Sequence, residues 1–194
     1  MLTKYSSKGM TPADEIPLTV SNQDFLHGGN DDDFRRLVHS LLSFSARLQE
    51  VRNTFGVYLG LSGTQYTILT SIAHLGCAKG VGVIQVANHL GLSAAFITAE
   101  AKKLEQSGLI EKHANLSDRR RVLMKVTSEG ISQLASLAPI QRPTNDALFK
   151  ALTNEDFDHL LRLCDGLMAG AKEAESLVKH LVLAQQKVAQ HEPD

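Results

Sequence analysis

Between Gly82 and Gly130 the chain changes its spacing of apolar residues twice, and few folds accommodate both changes. The stretch "GVIQVANHLG", Gly82 to Gly91, reads as a short helix stopped by glycine. "LSAAFITAEAKKLEQSG", Leu92 to Gly108, reads as a second helix, with Ser93 as its N-cap and Gly108 as its terminating glycine. A tight Gly-Leu-Ser turn joins them, which is the layout of a helix-turn-helix. The period then shortens from helical to alternating. "LIEKHANL" and "RVLMKVT" predict the two strands of a hairpin, with Ser117, Asp118, Arg119 and Arg120 at or near its turn.

Helix, turn, helix, strand, wing, strand is the order of a winged helix, and Arg119, Arg120 and Arg121 give this wing a cationic tip. The flanks read as helical. Asp31, Asp32 and Asp33 suit the positive end of a helix dipole, and Phe34, Leu37, Leu41, Phe44, Leu48 and Phe55 recur at helical spacing; the helix is expected to end at Gly56 and Gly60. A second helix begins at Ser62 with Gln65 completing a capping box, and turns Tyr66, Leu69, Ile72 and Ala73 inward. After Gly130, "ISQLASLAPI" extends a helix that Pro143 is expected to break, and a long amphipathic helix or pair of helices begins at a Thr153 cap. Residues 1–30 mix Pro, Gly, Ser and acids with short apolar patches and predict an extended or disordered arm. The expected class is mainly α with a small β-hairpin wing. Its parts are an arm over 1–30, a helix over 31–60, a winged helix-turn-helix over 61–130 and C-terminal helices over 131–190.

Charge is segregated along the chain. Residues 1–33 carry two Lys against six acids, and residues 143–194 carry five Lys/Arg against nine acids, so each end has a net charge of -4. The centre, with thirteen Lys/Arg against six acids, is left at +7 although the whole chain is at -1. That asymmetry points to an anionic partner for the centre. No apolar run approaches the roughly 20 residues of a membrane span, and "MLTKYSSKGMTPADE" lacks an apolar signal core, so the expected location is the cytoplasm, without a membrane partner. Cys77 and Cys164 lie far apart without metal-ligand spacing and are expected as buried small hydrophobes. His74, His89 and His113 are isolated and imply no metal, and no cofactor is indicated.

The run from "LTSIAHLG" through "VTSEG" resembles the DNA-binding core of the MarR (multiple antibiotic resistance regulator) family, whose wing pattern is Asp-Pro-x-Asp-Arg-Arg followed by a strand and Leu-Thr-x-x-Gly. Asp118, Arg119, Arg120, Thr127 and Gly130 match it, as do Leu104, Glu105, Gly108 and Leu109 of a Leu-Glu-x-x-Gly-Leu pattern; Asn115-Leu116 replaces the usual Asp-Pro. The resemblance covers about Asp31 to Thr153 and implies a cytoplasmic, homodimeric, sequence-specific regulator of transcription on a palindromic operator, more often a repressor released by a small, often aromatic-acid, effector. It also implies dimerisation through the N-terminal and C-terminal helices. Phe157, Leu160, Leu161, Leu163, Leu167 and Met168 form more apolar surface than one small domain needs, which suits a subunit interface.

On the second helix of the motif, with Phe96, Ile97, Ala101 and Leu104 inward, the outward set is Ser93, Ala94, Ala95, Thr98, Ala99, Lys102 and Lys103. Small residues allow close approach to a groove. Alanine and threonine methyls suit thymine methyls, Thr98 suits base or phosphate, and Lys102 and Lys103 suit phosphate. Successive strand residues point to opposite faces, so Arg119, Arg120 and Arg121 cannot all reach one phosphate. By resemblance one enters the minor groove and another pairs with Asp118 to hold the wing. Arg119 is the first choice for the groove, Arg120 or Arg121 for the structural role. On the first helix His39, Ser43 and Arg47 fall at i, i+4 and i+8, and with Tyr66 they form a candidate receptor for a carboxylate or phenol; a solvent-facing stripe is the plainer reading. An enzyme is disfavoured. There is no Gly-rich phosphate loop, no G-x-S-x-G and no zinc motif, and Glu155, Asp156 and Asp158 have a capping explanation. The alternative from another class is a winged-helix protein-interaction module.

Overall fold

The computed structural model describes residues 16–76, 79–114 and 122–189. In chain order its elements are α1 (Asp32–Tyr58), α2 (Gly63–Gly76), β1 (Val81–Gly82), α3 (Val83–Leu90), α4 (Ala94–Gln106), β2 (Ile110–Ala114), β3 (Val122–Val126), α5 (Ser128–Ser136), α6 (Ala138–Leu148) and α7 (Asn154–Ala189). The class is mainly helical with a small antiparallel sheet, ordered β1-β3-β2. In the hairpin, Ile110 lies opposite Val126 and Ala114 opposite Val122. The third strand, with Val81 opposite Met124 and Gly82 opposite Leu123, was not anticipated: two residues are too few to display a period of two.

Two clusters make the core of the first compact unit, which ends at Ala138. In the larger one, Ile97, Ala101 and Leu104 of α4 are fully buried with Leu69 and Ile72 of α2, Val86 of α3 and Met124 of β3. Each large side chain so buried is worth about 1.5–3 kcal/mol. In the smaller one, Phe55 and Leu59 at the end of α1 pack with Tyr66 and Leu137, the two rings meeting edge-on at 5.9 Å. Three local expectations change. Helix α1 runs through Gly56 and stops at Gly60, whose φ of 70° a side chain would resist; Gly56 serves a close approach, since a Cβ there would press on the Ser62 carbonyl. Ala73 is exposed, and so is Phe96, at 41%. The apolar stripe of α4 is completed by positions i, i+4 and i+7 from Ile97, so Phe96 lies one step to its side.

The far end of α4 is knotted to α5. The Thr127 hydroxyl donates to the Gly108 carbonyl at 2.7 Å and accepts from the Gly130 N–H at 3.0 Å, while the Thr127 N–H donates to the Leu109 carbonyl at 3.0 Å. Gly130 must lack a side chain because a Cβ would overlap the Leu109 carbonyl oxygen. These contacts supply a physical reason for threonine and glycine at this spacing.

Residues 16–30, expected to be extended or disordered, are fastened to the start of α1. The Asp31 carboxylate accepts from the Thr19 N–H and hydroxyl, both at 2.6 Å, and from Arg35 Nε at 2.7 Å; Arg35 Nη2 reaches the Pro17 carbonyl at 2.6 Å. Phe25 stacks on Phe34 at 5.9 Å. A second compact unit begins at Pro139. Pro143 lies inside α6 instead of breaking it, and the Thr144 hydroxyl donates to the Ile140 carbonyl at 2.8 Å near the interrupted ladder. The Thr153 expectation holds. Its hydroxyl accepts from the Asp156 N–H at 3.2 Å, the Asp156 carboxylate accepts from the Thr153 N–H at 3.0 Å, and one continuous helix follows, about 54 Å long. Cys164 is exposed on α7, against the expectation of burial, whereas Cys77 lies outside the described residues.

Two outcomes are expected. Gly130→Ala should lower stability by about 1–3 kcal/mol in urea denaturation, because a backbone carbonyl cannot move aside. Hydrogen bonds from Arg35 and Thr19 hold the Asp31 carboxyl below the usual carboxylate range, so the strap's stabilisation is fully present above about pH 4 and withdrawn as pH falls through the depressed value. Asp31→Asn should therefore lower the protection of the Thr19 amide against exchange several-fold at neutral pH and abolish the further loss of protection on acidification, as followed by NMR.

Candidate nucleic-acid interface

Helix α4 is positioned from three sides. Its start is fixed by Ser93, whose hydroxyl accepts from the Phe96 N–H at 3.2 Å, and by the preceding Gly91, which ends α3 at φ 66°. Its inner face is the buried stripe, and its far end is held by Thr127. What remains outward is Ser93, Ala94, Ala95, Thr98, Ala99, Lys102 and Lys103, all exposed. The outward set expected from the helical period is therefore brought to one surface, with Phe96 added beside it. The Thr98 hydroxyl donates to the Ala94 carbonyl at 2.8 Å, which leaves its methyl and oxygen lone pairs outward.

The two lysines differ in their surroundings. Lys103 Nζ is 2.7 Å from Glu100 Oε1, whereas Lys102 makes no ion pair among the described residues. Glu100 is only 8% exposed, and its other oxygen accepts from Gln65 Nε2 at 3.0 Å. The bond from Lys103, helped by Gln65, holds the Glu100 carboxyl below the usual range against the opposing effect of burial. Lys112 on β2 is likewise paired, 2.6 Å from Glu105. Two of the lysines on or beside α4 thus face acids.

The wing is reached only in part. The paired ends Ala114 and Val122 define its base. Asp118, Arg119, Arg120 and Arg121 lie outside the described residues.

The proposed receptor line on α1 divides. His39, Ser43 and Arg47 are exposed, with Arg47 Nη1 donating to the Ser43 carbonyl at 3.2 Å. Tyr66 does not join them. It is fully buried, and burial pushes its phenol above the ordinary range; a helix placed N-terminal to the core turns this residue inward along with Leu69 and Ile72. Sequence reasoning missed Arg52, whose guanidinium donates to the Thr67 hydroxyl at 3.2 Å and the Thr70 hydroxyl at 2.8 Å and lies 5.0 Å from the Tyr66 ring. It pins α1 to α2, and its signal was a lone cation one turn before Phe55 on the side that packs. Glu100 was missed as well, an acid interrupting an apolar stripe. Among the described residues there is no cluster of three metal-ligating side chains, and no helix is long and apolar enough to cross a membrane.

Residues 61–122, the span from α2 to the start of β3, match the model of the MarR family. Over 114 residues the chain is 25% identical to the HTH-type transcriptional regulator MhqR of Bacillus subtilis (strain 168), covering 59% of this chain and 77% of that protein. The fold superposes on CouR from Rhodococcus jostii RHA1 bound to p-coumaroyl-CoA with a TM-score of 0.60 at 21% identity, covering 71% of this chain and 92% of that one. It also superposes on a cysteine-to-serine mutant of MarR from E. coli in complex with operator DNA, with a TM-score of 0.55 at 21% identity over 70% of this chain and 94% of the other. Residues 61–122 thus form a winged helix-turn-helix segment that matches the MarR family of transcriptional regulators.

Proposed function

We propose that this chain is a homodimeric cytoplasmic repressor that binds a palindromic operator in duplex DNA and is released by a small effector such as an aromatic acid. The observation that carries the reading is α4 itself, a helix whose inner stripe is fully buried and whose outer face is built of Ser, Ala and Thr with lysine beside them. Such a face enters a major groove without steric conflict and reads methyl groups and shape more than guanine edges. The operator complex of the E. coli MarR mutant supports DNA as the partner.

Dimerisation is supported by two apolar faces. On α1, Leu37, Leu41, Leu42 and Phe44 are all at least 40% exposed in the single chain. On α7, Phe157, Leu160, Cys164, Leu167, Ala171 and Ala174 recur at alternating spacings of three and four, a pattern suited to a helical seam that would bury the exposed Cys164. A palindromic site and a twofold dimer match each other, because one winged helix offers a single reading helix. For the effector, His39, Ser43 and Arg47 remain the candidate line, with Arg47 as its cation; the p-coumaroyl-CoA complex of CouR supports a small aromatic ligand.

With Lys103 and Lys112 paired to acids, the reading places most of the phosphate attraction on Lys102 and the wing arginines Arg119, Arg120 and Arg121, with Asp118 holding the wing. Duplex affinity should fall steeply with salt, by about 0.9 in logarithmic slope for each phosphate neutralised. Arg119→Ala should weaken binding to all duplexes and reduce that slope by about one, measured by fluorescence anisotropy over a salt series. An affinity independent of salt would replace this reading with a protein-binding winged helix.

A further inference from the structure

We infer that Glu100 is a charge brake on the recognition helix: it retains Lys103 at its own carboxylate and so withholds one cation from DNA phosphate. The inference rests on the DNA-binding reading above and deepens it. Glu100 stands between Ile97, Ala101 and Leu104, all fully buried, at a place where an apolar side chain would pack with no desolvation cost. Ionised carboxylate at such a position persists only when both oxygens are satisfied. Oε1 accepts from Lys103 Nζ at 2.7 Å and Oε2 from Gln65 Nε2 at 3.0 Å.

Gln65 cannot easily yield its place. Its Oε1 accepts from the Ser62 N–H at 3.0 Å, and its own N–H donates to the Ser62 hydroxyl at 3.1 Å, so the capping box of α2 fixes the amide that holds Glu100. The acid is therefore immobile. Its side chain is 11% exposed and that of Lys103 is 59% exposed, so the lysine is the partner that comes to the acid. Lys102, one residue earlier, has no acid among the described residues and keeps its full charge for a partner. Two adjacent lysines on one helix thereby differ in electrostatic duty, and the intrinsic affinity of the domain is set lower than its count of cations would give. A binding face moderated in this way stays responsive to release by an effector.

Binding of a duplex retained from genomic fragments, followed over a salt series for the native chain and three variants, tests this. Glu100→Gln keeps the acceptor for Gln65 and frees Lys103; it should tighten binding several-fold at low salt and steepen the slope by about one. The double variant Glu100→Leu with Lys103→Met replaces the pair by apolar groups of similar size, which keeps the helix packed even if Glu100→Gln unfolds, and should leave the slope at its native value. Lys102→Met should lose about one. An unchanged slope in folded Glu100→Gln, or a double variant that loses as much as Lys102→Met, overturns the inference while native binding stands. A native chain that binds no duplex overturns the DNA-binding reading itself, and the inference with it.

Discussion

Ile97, Ala101 and Leu104 form a single apolar stripe on α4, and its complete burial against α2, α3 and β3 sets the direction of every other side chain on that helix. Because a helix repeats every 3.6 residues, fixing one face fixes the opposite one. Ser93, Ala94, Ala95, Thr98 and Lys102 face outward as a consequence of what is hidden, and the Thr127 knot at Gly108 stops the helix from sliding along its own axis. The rest of the domain can be read as the support this orientation requires. The short sheet places Met124 under the stripe, and Gly91, in the left-handed region, ends α3 before α4 begins.

A chain of polar contacts runs beneath this packing. Arg52 ties α1 to Thr67 and Thr70 of α2, and Gln65 at the start of α2 ties the same helix to Glu100 of α4. The element with the exposed apolar face is thus joined by side-chain hydrogen bonds, through one intervening helix, to the element that presents the candidate DNA surface. In the surroundings of these groups an unmet donor or acceptor is costly, so such contacts specify one arrangement more than they add stability.

Elements with a strong period or a capping signature were legible from sequence. The paired helices with Ser93 and Gly91, the Ser62–Gln65 box, the two strands of the wing and the Thr153 start all stand where their residues indicated. The failures have physical causes. Gly56 and Pro143 were read by local propensity, but one is a contact glycine inside a helix and the other is carried within α6. The strap over 16–30 depends on a buried Asp31 whose partner Thr19 lies 12 residues away and whose neighbours Asp32 and Asp33 look identical in sequence. The outward face of α4 and the inward turn of Tyr66 followed from spacing alone, whereas the burial of Glu100 depends on which helices meet, and spacing within one helix does not carry that information.

The most direct measurement is selection of genomic fragments by the purified protein at moderate salt, with sequencing of what is retained. The account predicts a recurrent palindrome whose half-sites lie about one helical turn apart, spaced for two copies of α4. Recovery of random fragments, or of none, by folded dimeric protein would contradict it and would mean that the Ser-Ala-Thr face of α4 does not read DNA sequence.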